Sequence, residues 1–392
     1  GSGNVTPFFS RRIGLDAPVL AGARLSGKIG NDWRIGLMNM TTQKTSFHLA
    51  RNYTVASVQR KVFARSNVGF IFVNKEYFDE PVDTTLFNRV AGMDYNLSSK
   101  DNVWNGNFYY HRSFQPENPE HQFSQGAGIA YNTKNVQLEI MQRSVGENYK
   151  AEVGYVQRTG YHFISPEAAY IFVPNKRVTS HGFFVDFRYY FNMDYEKIEH
   201  ENIYQYNLTF RDRSALSFGY QDNFVHLNQN FDPTHISDGY LQAGTEHNFG
   251  GTFVNYESTP KKLFKWEAEV AKGTFYNGKI QYVNGALGYR FQPYVNFVLN
   301  FNYTDINLPG DFERANLWLI GPKLDVTFTD DIFLSTFVQY NEQMDNMNLN
   351  MRFQWRYQPV SDIYLVYTDN YIPGSWNSRN RALVLKMTYW LN

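Results

Sequence analysis

The sequence contains no cysteine. That excludes disulfides, thiolate nucleophiles, cysteine-type zinc sites and iron–sulfur clusters. It has no stretch of 18 or more apolar residues, so no segment can cross a bilayer as a helix. The longest apolar runs are only a few residues, such as Phe70-Ile71-Phe72-Val73. Net charge is absent too: 37 Lys and Arg balance 37 Asp and Glu, with no basic block, which argues against a nucleic-acid partner. The usual catalytic signatures are missing. None of the nine histidines falls in a His-Glu-x-x-His spacing. There is no Gly-x-Ser-x-Gly elbow and no phosphate-binding loop. No catalytic residue, cofactor or metal ligand is therefore assigned, and the chain is not expected to be an enzyme.

What is present is aromatic. Phe, Tyr and Trp make up 18% of the 392 residues, yet the mean hydropathy is −0.49. A chain both aromatic-rich and hydrophilic suits sheets with one greasy face and one wet face. Period two confirms that pattern. Over 346–357, Met347, Leu349, Met351, Phe353, Trp355 and Tyr357 alternate without error with Asn346, Asn348, Asn350, Arg352, Gln354 and Arg356. A helix would scatter both sets, whereas a strand gives each its own face. The same alternation recurs at Phe183–Phe191, Tyr204–Phe210, Phe264–Val270, Val295–Tyr303 and Leu383–Leu391. These runs span about 10–14 residues, against roughly 5–6 for an ordinary globular strand. Twelve residues tilted by about 40° rise on the order of 30 Å, the thickness of a membrane's hydrocarbon core.

Short polar turns, such as Gly30-Asn31-Asp32 and Asn132-Thr133-Lys134-Asn135, alternate with longer connections such as 76–87 and 228–240. This is the connection pattern of an outer-membrane barrel. The expected fold is all-β: one transmembrane antiparallel barrel of about 18–22 strands over residues 18–392, with a polar lumen and a lead-in segment at 1–17. About 22 candidate strands can be drawn. Their orientation goes out of phase along the chain, which locates one false or missed strand, best placed within 145–181. Trp33, Trp104, Trp266 and Trp355 each sit near a short turn, where an interfacial aromatic girdle belongs. Arg24, Arg34, Asp94, Glu139, Asp186, Arg188, Lys265, Glu267, Arg352 and Arg356 then face the lumen, because an Arg or Lys at the lipid midplane costs about 2–4 kcal/mol.

A barrel of about 20 strands is too wide for its wall side chains to fill. The segments available to close it are 1–17, 226–245 and 76–87. Within the first, Phe8, Phe9, Arg11 and Arg12 supply packing groups and charge. Those 17 residues are too few for the separate plug domain of a TonB-dependent receptor, so that class is not expected. Glu76, Asp79, Glu80 and Asp83 form an acidic loop without a defined calcium pattern. Tyr371-Ile372-Pro373-Gly374-Ser375-Trp376 could offer a sugar-stacking platform, with self-packing the blander use.

The N-terminal third carries a resemblance. Pro7-Phe8-Phe9-Ser10-Arg11-Arg12-Ile13-Gly14 is followed by Gly22-Ala23-Arg24-Leu25-Ser26-Gly27-Lys28, Arg65-Ser66-Asn67-Val68-Gly69 and Gly154-Tyr155-Val156-Gln157-Arg158-Thr159-Gly160-Tyr161. Over about residues 1–165 this order resembles an uncharacterised C-terminal barrel domain of Bacteroidota-type outer-membrane proteins. Those proteins commonly carry an N-terminal domain similar to carbohydrate-binding module family 9. The resemblance implies an outer-membrane location and supplies no activity. The expected function is an accessory or structural subunit of an outer-membrane assembly, or a gated transport barrel linked to glycan or peptide uptake. A general diffusion porin and a barrel enzyme are the alternatives. The expected partners are the lipid bilayer and other outer-membrane or periplasmic proteins.

Overall fold

A computed structural model describes residues 5–78, 86–117, 119–174, 176–375 and 377–391. Among these, 21 strands form one antiparallel β-barrel, from Val19–Ile29 to Ser378–Met387. A separate two-stranded ladder joins Val5–Thr6 to Tyr155–Val156. The one helical turn among the described residues is Ser10–Arg12.

The barrel strands are 10 to 14 residues long, as the alternation requires. Connections alternate in length as far as residue 160, and less regularly beyond it, where 258–263 is longer than 276–277. One end carries turns such as 30–32, 63–65, 133–135 and 359–360. The other carries 43–50, 115–122, 146–160 and 227–245. The phase error in the sequence lies where it was expected. Residues 146–160 leave the sheet and pack against its inner face, so Val136–Val145 pairs directly with Tyr161–Phe172. The count falls from 22 to 21, and the connections of seven residues or more then all lie at one end.

Contacts divide the chain into two compact units. The first comprises Gly1–Tyr170 and Val185–Glu201, the second Ile171–Phe184 and Asn202–Asn392. In both, the outward set is apolar and exposed. Phe70, Met93, Leu138 and Ile140 represent it in the first, and Val254, Val270, Leu324 and Phe353 in the second. Side chains of this kind, 37–61% exposed on a continuous wall, are stable only against lipid. Trp33, Trp104, Trp266 and Trp355 are 40–46% exposed, point outward, and all lie at the short-turn end. On strand Ala315–Thr327 the outward row runs Trp318, Ile320, Pro322, Leu324 and Val326, and Phe328 follows it. Ten residues at that tilt span about 25 Å, the height of an apolar band.

Toward the long-loop end the outward face turns polar. Asn39 bonds Asn52 and Thr54, and Arg89 pairs with Glu76 at 2.6 Å. Asp305 accepts two hydrogen bonds from Arg314, and Asp369 pairs with Arg381. These strands therefore rise beyond the apolar band, which alternation alone did not reveal.

Candidate functional site

The site lies on the inner face of the first unit and is built by four pieces of chain. Strands Arg51–Val62, Ser66–Tyr77 and Phe87–Ser98 are in register, so Tyr53, Val55, Val73, Lys75, Asn88 and Val90 share one face. Segment 146–160 lies across that face. Its Tyr149, Ala151 and Val153 are buried and pack with Tyr53, Val55, Val73 and Val90 into a single apolar cluster. The intervening Lys150 and Glu152 face the other way and stay hydrated in part.

Polar clamps hold the segment to the wall. Asn88 donates its amide to the Lys150 carbonyl at 2.9 Å and accepts from the Glu152 N–H at 3.0 Å. It thereby satisfies two backbone groups that have no sheet partner. Ser113 accepts from the Lys150 N–H. The Glu152 carboxylate receives Lys75 at 2.6 Å, Lys150 at 3.0 Å and the Tyr77 hydroxyl at 3.2 Å. Burial alone would raise the Glu152 pKa. The hydrogen bond from Lys75 and the charges of Lys75 and Lys150 outweigh it, and the carboxyl titrates below the usual glutamate range. Burial pushes the Tyr149 phenol up.

The N-terminal segment locks this arrangement. Val5 is fully buried within the cluster and pairs with Val156. The Phe9 N–H donates to the Val153 carbonyl at 2.7 Å, and Arg12 Nε donates to the Gly154 carbonyl at 3.2 Å. Gly154 is required there, since a Cβ would lie 2.2 Å from the Thr6 carbonyl oxygen. Of the four residues proposed to close the lumen, Phe8 packs against the cluster and Arg12 reaches the segment. Phe9 engages through its backbone, with its ring exposed, and Arg11 is exposed. The principal covering loop is 146–160, which lies within the stretch expected to hold one false or missed strand.

Between these pieces lies a polar chamber of about 540 Å³. Arg12, Arg51, Lys75, Lys150 and Arg158 line it against Asp16 and Glu152, five basic side chains to two acidic. Asp16 is held by Arg51 at 2.8 Å, and that partner keeps its carboxyl below the ordinary aspartate range. Arg158 pairs with Glu199 at 2.9 Å and lies over the rings of Tyr161 and Tyr190. Of this lining, the residues of 1–17 and 154–159 fall in stretches singled out from the sequence. The rest come from separated strands and loops, and no spacing announces them.

The ten charges assigned to the lumen all lie on the inward face of their strands. Asp186 pairs with Arg188 at 2.6 Å, and Arg188 with Glu201 at 2.7 Å. Glu139 stands opposite Glu167. Arg24 and Arg34 lie opposite Met38 and Gln59, and Asp94 opposite Gly69. In the second unit Lys265 and Glu267 oppose Gly288 and Ala286, Arg352 opposes Ser335, and Arg356 approaches Asp362 at 3.5 Å. Loop 227–245 closes on itself through Phe231 and Leu241 and bonds to neighbouring loops through Ser237 and Gln343. Glu76 of the acidic loop is engaged by Arg89, while Asp79, Glu80, Asp83 and Trp376 lie outside the described residues. Among the described residues no group of His, Asp and Glu is arranged to hold a metal. Ser144 Oγ meets His162 Nδ1 at 2.7 Å, but Ser144 is only 2% exposed and out of reach of an ester.

No family model matches the chain, and no curated sequence matches it. Among solved structures it is similar to the copper transporter OprC, with 10% identity and a TM-score of 0.44 over 93% of this chain and 68% of that one. It is also similar to the ferric-catecholate import receptor Fiu from E. coli K12, at 7% identity and a TM-score of 0.43, covering 93% and 71%. For the ferric yersiniabactin uptake receptor FyuA from Yersinia pestis the values are 11% and 0.30, covering 92% and 60%. At these scores, the assignment of a membrane-spanning β-barrel rests on its own strands and their two faces.

Proposed function

We propose that this chain is a gated transport barrel of a bacterial outer membrane, held closed by its own residues 5–17 and 146–160. The observation that carries the reading is the latch itself. An apolar cluster that includes Val5 and Val153 seals segment 146–160 to the inner wall, and the ion pairs of Glu152 fasten its polar side. A general porin has no use for a buried cluster inside its lumen. A permanently solid barrel would not need a chamber lined by charge. The apolar band and the tryptophans at the short-turn end support the membrane location. Uptake of glycan or peptide fragments is the transport role that fits a mixed polar lumen, and a periplasmic or outer-membrane partner would drive the opening.

Planar-bilayer recording tests the reading. The intact chain should stay closed, and Val153→Asp, which places a charge in the cluster, should give long-lived openings. Steady nanosiemens-scale conductance from the intact chain would refute it.

A further inference from the structure

The chamber's chemistry is one-sided. Both of its carboxylates are already engaged, Asp16 by Arg51 and Glu152 by Lys75 and Lys150. On the donor side, capacity is left over. Arg12 uses only Nε, on the Gly154 carbonyl, and the side chains of Gln157 and Thr159 line the space without a hydrogen-bond partner among the described residues. Arg158 is fixed by Glu199 and by two aromatic rings, so its guanidinium is held in place before any ligand arrives. Within the lining, Arg51 Nε and the Tyr149 hydroxyl are buried without a partner among the described residues. A space with surplus positive charge, free donors and no vacant carboxylate is complementary to an anion rich in acceptors. Guanidinium groups favour oxyanions in particular, since their planar fork matches carboxylate and phosphate.

We infer that the chamber is a binding site for a small solute bearing a carboxylate or a phosphate, with Arg12 and Arg158 as the groups that receive the oxyanion. About 540 Å³ accommodates a solute of sugar-acid or sugar-phosphate size, within the range of ordinary ligand pockets. The strands that line it do so near the long-loop end, at Arg51, Tyr53 and Lys75, so the solute would enter from that side. The site's role in uptake rests on the gated-barrel reading; binding itself does not.

Isothermal titration calorimetry on the full chain in detergent tests this. The probes are citrate for the carboxylate arm, glucose 6-phosphate for the phosphate arm, and glucose as the neutral control. At least one anion should bind and glucose should not. Affinity should fall by about tenfold or more in Arg12→Gln combined with Arg158→Gln, while Arg12→Lys retains part of it. Raising salt to about 0.5 M should weaken binding further. Heat-modifiable migration of the variants on a gel checks that the barrel is folded. No heat from either anion, equal binding of glucose, or unchanged affinity in the folded double variant would each overturn the inference. Such a failure with a chain still closed in bilayers would leave the gate standing. An open intact chain that binds citrate would remove the gate and keep the site.

Discussion

The inner walls of the two units obey one strand rule and end up unlike. In the first, inward positions 55, 73, 90 and 163 carry Val, Val, Val and Phe, and these are buried beneath segment 146–160. In the second, inward positions carry Asn284 bonded to Asn302, Asn348 to Asn370 at 2.7 Å, and Asn350 to Thr368 at 2.9 Å. Lys323, Asp325 and Ser335 continue that polar ladder. Alternation fixes which residues share a face, but whether the inward face is greasy or wet depends on what covers it. In the first unit the inward Val and Phe are removed from water by a second piece of chain, whereas inward Val384 of the second unit is 52% exposed.

The contrast is most severely tested by removing residues 5–17. The first unit loses the strand pairing at Val5 and the hydrogen bonds from Phe9 and Arg12, so segment 146–160 should swing free. Bilayer conductance should rise from closed to nanosiemens-scale, as for a wide barrel with an empty lumen. Shortening loop 227–245 of the second unit should produce no comparable rise.

Glu152→Gln comes next. It leaves Lys75, only 8% exposed, without its carboxylate. Loosening of the latch by on the order of 3 kcal/mol is expected, read as open probability. The same pair gives a pH test. Because the folded-state pKa of Glu152 is lowered, its contribution is complete above the ordinary glutamate value of about 4.3 and is lost as pH falls through the lowered value. Acidification below about pH 4.3 should open the wild-type chain, and Glu152→Gln should flatten that response.

Smaller effects sharpen the comparison. Val153→Ala removes buried methyl groups from the cluster and should weaken closure by about 1.5 kcal/mol, again measured as open probability. Asn350→Ala in the second unit breaks one hydrogen bond of the polar ladder. It should lower stability by about 1 kcal/mol in thermal unfolding and leave conductance unchanged.

The fold was legible where one face meets lipid without interruption, as over 346–357. The latch was misread for an instructive reason. Tyr149, Lys150, Ala151, Glu152 and Val153 alternate as a strand does and have one face buried, although Glu152 and Val153 lie in a turn. Period two reports burial on one side. It does not report whether the backbone bonds to a neighbouring strand or to an Asn88 side chain. The chamber was illegible because its charges come from residues 12, 16, 51, 75, 150, 152 and 158, which meet only once the N-terminal segment and 146–160 lie against the strands. The outward acids escaped notice for a related reason. Asp305 and Asp369 sit in the lipid-facing phase of their strands, and the pattern carries no mark of where lipid stops.

The outward ion pairs of each unit also set a waterline. Glu76 with Arg89, Asp305 with Arg314 and Asp369 with Arg381 stand on the outside of the wall, above the apolar rows. Sinking by two residues, about 5 Å at this tilt, would carry them toward hydrocarbon, where each arginine costs up to about 2–4 kcal/mol at the midplane. Rising by as much would lift Trp33, Trp104, Trp266 and Trp355 out of the opposite interface. The barrel thus floats at a fixed draught. In a bilayer of unsuitable thickness the lipids, rather than the protein, would have to stretch or thin.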